Sequence, residues 1–220
     1  MAYGITVEIG GEYACFSRPE LKVERVSYEI ITPSAARGIL EAVFWKPAIR
    51  YVIDEIAVCA PIRFENIRRN EVSSKASIRK PYIATSDDRT QRASMVLRDV
   101  RYLVTAHFEP AALGDGDLTA EGAFNHGKFA DTLRRRLRKG QNYHTPYLGT
   151  REFPARVRLM EEGADLPQPV DESRSFGLML YDIDYEKDED GDVVAFTPTY
   201  FHAEMISGVV RLPKPEEVLR

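Results

Sequence analysis

TPSAARGILEAVFWKPAIRYVIDEIAV, residues 32–58, changes its hydrophobic period in mid-course, and that change decides the fold. Over residues 32–46 the side chains Ala36, Ile39, Leu40, Val43 and Phe44 recur at helical spacing and share one face. Thr32 is placed to cap this helix. Pro33 suits its first turn, where the N–H that proline lacks has no partner anyway. Pro47 stops the helix, because the residue before a proline avoids the α region. Residues 49–58, IRYVIDEIAV, are then rich in β-branched side chains and predict a strand. Upstream, residues 5–9, ITVEI, alternate apolar and polar and predict another.

Working outward, residues 96–108, VLRDVRYLVTAHF, set Val100, Tyr102, Val104, Ala106 and Phe108 on one face at period two, a strand. Residues 126–139 predict a second helix. Asn125 caps it, Phe129, Leu133 and Leu137 form its stripe, and Gly140 closes it. A strand at about 155–160 completes the order β-α-β-β-α-β, the ferredoxin-like arrangement, so residues 1–160 are expected to form one α+β domain. Between two of its strands, residues 66–95 are polar and predict a long loop with seven basic and three acidic residues. After residue 161 a proline-containing linker leads to strand patterns at 177–185, 193–201 and 203–211, with a turn at Ser207–Gly208. Residues 161–220 therefore read as a small antiparallel β-sheet domain. The acidic run KDEDGD at 187–192 does not match a calcium-binding EF-hand loop and reads as a solvated hairpin tip.

Charge divides the chain. Its formal net charge is −4, but residues 159–220 hold 5 basic and 15 acidic residues, and residues 1–158 hold 25 and 19. The excess of cations peaks at 126–158, where nine Lys and Arg face two acidic residues. A basic stripe of this kind points to a polyanionic partner. Composition is near the globular average at 44% hydrophobic and 29% charged, which excludes a disordered or fibrous chain. No apolar run reaches transmembrane length, the N-terminal residues lack a basic n-region, and two cysteines without CxxC spacing give no disulfide framework or zinc site. A cytoplasmic protein with no membrane partner and no cofactor is expected.

No Walker A, GxSxG, HExxH, GxGxxG or RNP1 pattern occurs. The start of the second helix is the exception to an otherwise bland sequence. His126 and Lys128 flank Gly127 there, and a cation at that end opposes the helix dipole. A helix start is also an anion site, so a docked phosphate turns the conflict into an attraction. If the anion is RNA, the ribose 2′-OH is an internal nucleophile. The protein then needs a base, an acid for the leaving 5′-oxygen, and a cation for the developing phosphorane, with no metal. Lys128 suits the last role. His126 is the nearest base, and His144 a remoter one. Arg68, Arg69 and Lys75 on the polar loop, and Arg134, Arg135, Arg136, Arg138 and Lys139 on the helix, suit phosphate contacts; Tyr82 offers a stacking face.

Five blocks carry a resemblance: YEIITPSAARGILEAVFWKPAIRYVIDEI (28–56), IRRNEVSSK (67–75), NHGK (125–128), RRRLRKGQ (134–141) and YLGTREFPA (147–155). Together they resemble subtype d of the fifth Cas family, the type I-C CRISPR-associated repeat-processing endoribonuclease. The resemblance covers nearly the whole chain. It implies a ferredoxin-like domain followed by a small β-sheet domain. It implies metal-independent cutting of precursor CRISPR RNA at the base of the repeat hairpin, leaving a 2′,3′-cyclic phosphate. It implies retention of the crRNA 5′ handle within the type I-C Cascade, beside its backbone and large subunits. In the family, catalysis is ascribed to a Tyr in the block matching AVFWKP and to a Lys–His pair in the block matching NHGKF. Those positions are Phe44, Lys128 and Phe129 here, so only Lys128 keeps its residue type. The alternative expectation is a weakly catalytic or non-catalytic handle-binding scaffold, with duplex DNA as a further partner of its basic surface.

Overall fold

In the computed structural model, the described residues are 4–21, 24–75, 77–79, 81–119, 122–188 and 191–220. Strand β1 (Ile5–Ala14) leads through the two-residue β2 (Arg25–Val26) to helix α1 (Pro33–Val43). Strands β3 (Ile49–Val58), β4 (Phe64–Val72) and β5 (Arg89–Pro110) follow. Helix α2 (His126–Arg138) precedes β6 (Arg156–Leu159), and β7 (Arg174–Lys187), β8 (Val193–Ile206) and β9 (Val209–Arg211) come last. The result is an α+β fold whose mixed sheet runs β6-β1-β5-β3-β9-β8-β7. Each neighbouring pair on that path is antiparallel, while β2 adds to β5 in parallel and β4 adds to it antiparallel.

One face of the sheet is apolar because alternate residues point to it: Ile5, Val7 and Ile9 from β1, and Tyr102, Val104, Ala106 and Phe108 from β5, are all buried. The helices cover this face. α1 presents Ala36, Ile39, Leu40 and Val43, and α2 presents Phe129, Ala130, Leu133 and Leu137. Burial stabilises by about 1.5–3 kcal/mol for each large apolar side chain. Both expected caps form: the Thr32 hydroxyl accepts from Ala35 N–H at 3.2 Å, and the Asn125 side chain accepts from Lys128 N–H at 3.0 Å. Gly140 closes α2 with φ of +62°.

Several boundaries move. α1 ends at Val43, not at residue 46, because Phe44 adopts extended dihedrals and turns its ring into the core. The Tyr51 hydroxyl fixes that exit by donating to the Phe44 carbonyl at 2.7 Å. β1 runs five residues past Ile9, through glycines that break the apolar alternation. Their lack of a side chain is needed, since a Cβ on Gly11 would lie 2.5 Å from the Leu148 side chain. The expected loop at 66–95 is corrected: residues 66–72 and 89–95 are strand, paired across β4 and β5, and the irregular residues described between them are 73–75, 77–79 and 81–88. β8 continues through residue 202 to Ile206 without the expected break, and the chain then turns at Ser207–Gly208, both with positive φ.

The strands beyond residue 161 are antiparallel and continue the first sheet. Glu55, Ile56 and Ala57 of β3 pair with Arg211, Val210 and Val209 of β9. Across that seam, Arg37 of α1 donates to Asp182 of β7 at 2.7 Å. Of the acidic run at 187–192, Glu189 and Asp190 lie outside the described residues. Asp188 and Asp192 close the turn on each other through Asp192 N–H and the Asp188 carboxylate at 2.8 Å. Cys15 and Cys59 are free thiols.

Candidate functional site

The start of α2 is built around Lys128. A 3₁₀ turn at Asp115–Asp117 brings two acceptors to its ammonium, which donates to the Gly116 carbonyl at 2.6 Å and to the Asp117 carboxylate at 3.2 Å. The Gly114 N–H, and then Lys128 itself, hold the Asp117 carboxyl below the ordinary carboxylate range. The conflict between cation and dipole is thus relieved inside the protein: the side chain swings off the helix axis onto this turn. About half of the Lys128 side chain stays exposed, and an ammonium has three donors, so it retains capacity for a further acceptor.

Phe129, next in sequence, is buried on the core side. Its ring stacks on Phe124 with centroids 5.3 Å apart and lies 6.5 Å from Phe44. The Lys128 Nζ sits 5.2 Å from the Phe129 centroid. Positions 44, 128 and 129 therefore converge from α1 and α2, although 84 residues separate Phe44 from Lys128. Two of the three offer only apolar rings. His126, the first residue of α2, is partly buried with its ring edge-on to Phe124 at 4.5 Å. His144 enters from another side. Its N–H and that of Tyr143 both donate to the Ala42 carbonyl near the end of α1, at 3.2 and 2.8 Å.

The basic residues do not form one patch. Arg136 is structural in part: its guanidinium donates to the Val43 carbonyl at 3.0 Å and lies 5.5 Å from the Phe44 ring. Arg138 is clasped by both Glu161 oxygens at 2.6 and 2.9 Å, and Arg134 is 3.6 Å from Asp131. Arg135 and Lys139 are exposed on the outer side of α2. On the β4–β5 arm, Arg68 is exposed, whereas Arg69 turns inward to the Ser94 hydroxyl at 2.8 Å and to Glu152. Lys75 and Tyr82 are exposed at the arm's tip.

On the sheet face away from the helices, a groove of about 830 Å³ is lined by Arg101, Arg156 and Arg158 around Glu8. Burial pushes the Glu8 carboxyl up, but hydrogen bonds from Arg101 and Arg158 outweigh it and hold the group below its ordinary value. Among the described residues no three His, Cys, Asp or Glu side chains are grouped so as to hold a metal ion. Among the described residues no helix is long and apolar enough to cross a membrane. Sequence reasoning missed Asp117, whose GDGD turn carries no motif. It also passed over the exposed rings of Trp45 and Tyr143, although a tryptophan directly after an apolar helical stripe is a visible signal.

Comparison with known proteins gives a consistent result. A family model for Cas5d, described as CRISPR-associated protein (Cas_Cas5), matches residues 4–213. The chain is 44% identical to the CRISPR pre-crRNA endoribonuclease Cas5d of Mannheimia succiniciproducens, over 100% of both chains. It is 40% identical to the protein of the same name from Thermus thermophilus, over 98% of this chain and 95% of the relative. Among solved structures, the functionally uncharacterized SMU1763c from Streptococcus mutans superposes with a TM-score of 0.66 at 22% identity, covering 99% and 97% of the two chains. A CRISPR-associated protein superposes at 0.64, also at 22% identity, covering 99% and 96%. These two likenesses concern the fold.

Proposed function

The chain belongs to the Cas5d family of CRISPR-associated proteins, and from that premise we propose that it is a pre-crRNA endoribonuclease that cuts repeat RNA by attack of a ribose 2′-OH. The observation that carries this reading is the convergence of positions 44, 128 and 129 beside an exposed ammonium. Lys128 stabilises the charge that develops on the non-bridging oxygens of the phosphorane. His126 takes the 2′-OH proton, the 2′-oxygen bonds to phosphorus as the P–O5′ bond breaks, and solvent water supplies the proton to the leaving 5′-oxygen, so the products are a 2′,3′-cyclic phosphate and a 5′-OH. The nucleophile is part of the substrate, so the step needs no metal. The 5′ handle then stays bound within the type I-C complex, beside its backbone and large subunits. The strand order β6-β1-β5-β3, with α1 and α2 as crossovers, supports reading residues 1–160 as a ferredoxin-like β-α-β-β-α-β domain carrying the β4–β5 arm, with residues 161–220 as the appended β-sheet domain. The contacts to RNA are assigned to Arg68, Lys75, Tyr82, Arg134, Arg135, Arg138 and Lys139.

The test is incubation of the purified chain with its own repeat RNA in EDTA, with the product ends mapped. Site-specific cutting that ends in a cyclic phosphate, and that stops with 2′-deoxy at the scissile position, is expected. Cutting that requires added magnesium overturns the mechanism. A second reading is favoured by the burial of Phe44 and Phe129, neither of which can move a proton. In it the chain is a handle-binding scaffold that also holds duplex DNA. RNA bound tightly but left whole in the same assay selects this reading.

A further inference from the structure

Trp45 is the single tryptophan of the chain, and its ring is not in the core: 53% of the residue is exposed, directly after Phe44, which is buried. Isolated exposed aromatics are ordinary on a protein surface. Trp45 is not isolated. The cap of α2 carries a second ring to the same corner. Gly140 reverses the chain, Gln141 N–H bonds back to the Arg136 carbonyl at 2.9 Å, and Tyr143 N–H then docks on the Ala42 carbonyl at 2.8 Å. Tyr143 is left 74% exposed, with its ring set against the edge of His144 at 4.7 Å. Two exposed rings thus sit by the end of α1: Tyr143 is docked through its N–H on Ala42, and Trp45 follows three residues after Ala42 in the chain.

Cations surround them. Arg136 is pinned to the carbonyl of Val43, the residue after Ala42, on which Tyr143 docks, and two residues before Trp45. Lys46, next to Trp45, is exposed and lies close enough to Asp117 to add to the effects of Gly114 and Lys128 in keeping that carboxylate ionised. Aromatic faces interleaved with Lys and Arg are what single-stranded nucleic acid uses: bases stack on the rings while phosphates meet the cations. A duplex cannot use the rings, because its bases are already stacked.

We propose that Trp45 and Tyr143 form a stacking platform that grips unpaired nucleobases of the RNA beside the Lys128 centre. The proposal rests on the reading of the chain as a repeat-RNA-binding protein and adds to it a site that reads strandedness. Junctions between the repeat stem and its single-stranded flank are selected because only there do unpaired bases adjoin the phosphate at Lys128.

The experiment uses the full chain and its single tryptophan. End-labelled repeat RNA, carrying its unpaired flanks, is titrated while label anisotropy reports binding and Trp45 emission reports stacking. Saturable quenching that tracks the anisotropy is expected, with little quenching by the stem alone closed as a blunt duplex. Trp45→Ala and Tyr143→Ala should each weaken binding of the flanked RNA about tenfold. Trp45→Phe and Tyr143→Phe, which keep a ring face, should stay within about threefold. A normal anisotropy rise with unchanged Trp45 emission overturns the platform and leaves the RNA-binding reading intact. So does equal quenching by the blunt duplex, or an equal loss of affinity in the Phe and Ala variants. No anisotropy rise with any RNA overturns both.

Discussion

Lys128→Ala separates the two roles a surface cation can have. Its ion pair with Asp117 is half exposed, and a solvent-screened pair contributes little to stability, so the fold should survive. A charge acting on the phosphorane counts for more in the transition state than in the ground state. Single-turnover cleavage should therefore fall by about 100-fold or more, while RNA affinity changes only severalfold. Equal losses in both would make Lys128 an ordinary phosphate contact. Phe129→His tests the neighbouring position. An unpartnered imidazole between Phe124 and Phe44 costs about 1–3 kcal/mol, and that cost drives the ring outward toward Lys128. The variant should melt earlier yet cut about 100-fold faster, since acid–base help of this kind is worth about 10²–10⁴. Melting curves and rates on one preparation decide it; an early-melting variant with an unchanged rate removes position 129 from the chemistry. Lys128 was legible in the sequence because a cation at a helix start contradicts the dipole. Asp117 was not, because its partner lies eleven residues away across a turn with no pattern of its own.

Helix α2 shows how a run of like residues divides its labour. Arg136 and Arg138 have acceptors inside the protein, whereas Arg135 and Lys139 face water. Replacing Arg135 and Lys139 together by Ala should lower RNA affinity and reduce its salt slope by about 1–2, with the melting temperature nearly unchanged. Arg136→Ala should instead lower stability, since it unpairs the Val43 carbonyl and uncovers Phe44. A flat salt response in the first variant would make the outer side of α2 a merely solvated surface. On the strands β1, β5 and β6, Glu8 is held below its ordinary pKa by Arg101 and Arg158, so its contribution is present above about pH 4.5 and fades as pH falls through the depressed value. Glu8→Gln should accordingly be less stable than wild type at pH 7, and the gap should close toward pH 3 in urea unfolding. A gap independent of pH would mean that the loss is one of packing. Period two identified the core strands, where one face is dry. It failed on the β4–β5 arm, where β4 alternates between exposed and half-exposed residues and so carries no apolar signature.

At the scale of the whole molecule, the β3–β9 seam and the Arg37–Asp182 contact join the early and late parts of the chain. Burial pushes the Asp182 carboxyl up and Arg37 pulls it down, with a net rise. Arg37 Nε is buried without a hydrogen-bond partner, with Glu41 3.8 Å away, so the short contact with Asp182 is the guanidinium's closer carboxylate partner. Asp182→Ala should cost about 3 kcal/mol in urea unfolding, and replacing both partners by apolar residues should cost less. If the single change costs under half of that, the seam is held by its strands alone. The order of the core elements β1, α1, β3, β5 and α2 was legible because each carries its own period, whereas β2 and β4 carry none. Their joining into one sheet was not, because three residues of β9 decide it and pairing between distant strands leaves no local mark. That joining has a consequence for synthesis on the ribosome. β1 sits between β5 and β6, so its partners are residues 97–106 and 156–159. At about 5–20 residues per second, β1 waits roughly 5–20 s for its first partner, with Ile5, Val7 and Ile9 uncovered. β3 waits for residues 209–211, about 150 residues downstream, before its second edge is covered. The nascent chain thus carries unpaired apolar strands until those distant partners emerge, and recovery of soluble protein should depend on chaperone supply and slow, cool expression more than on the equilibrium stability of the finished fold.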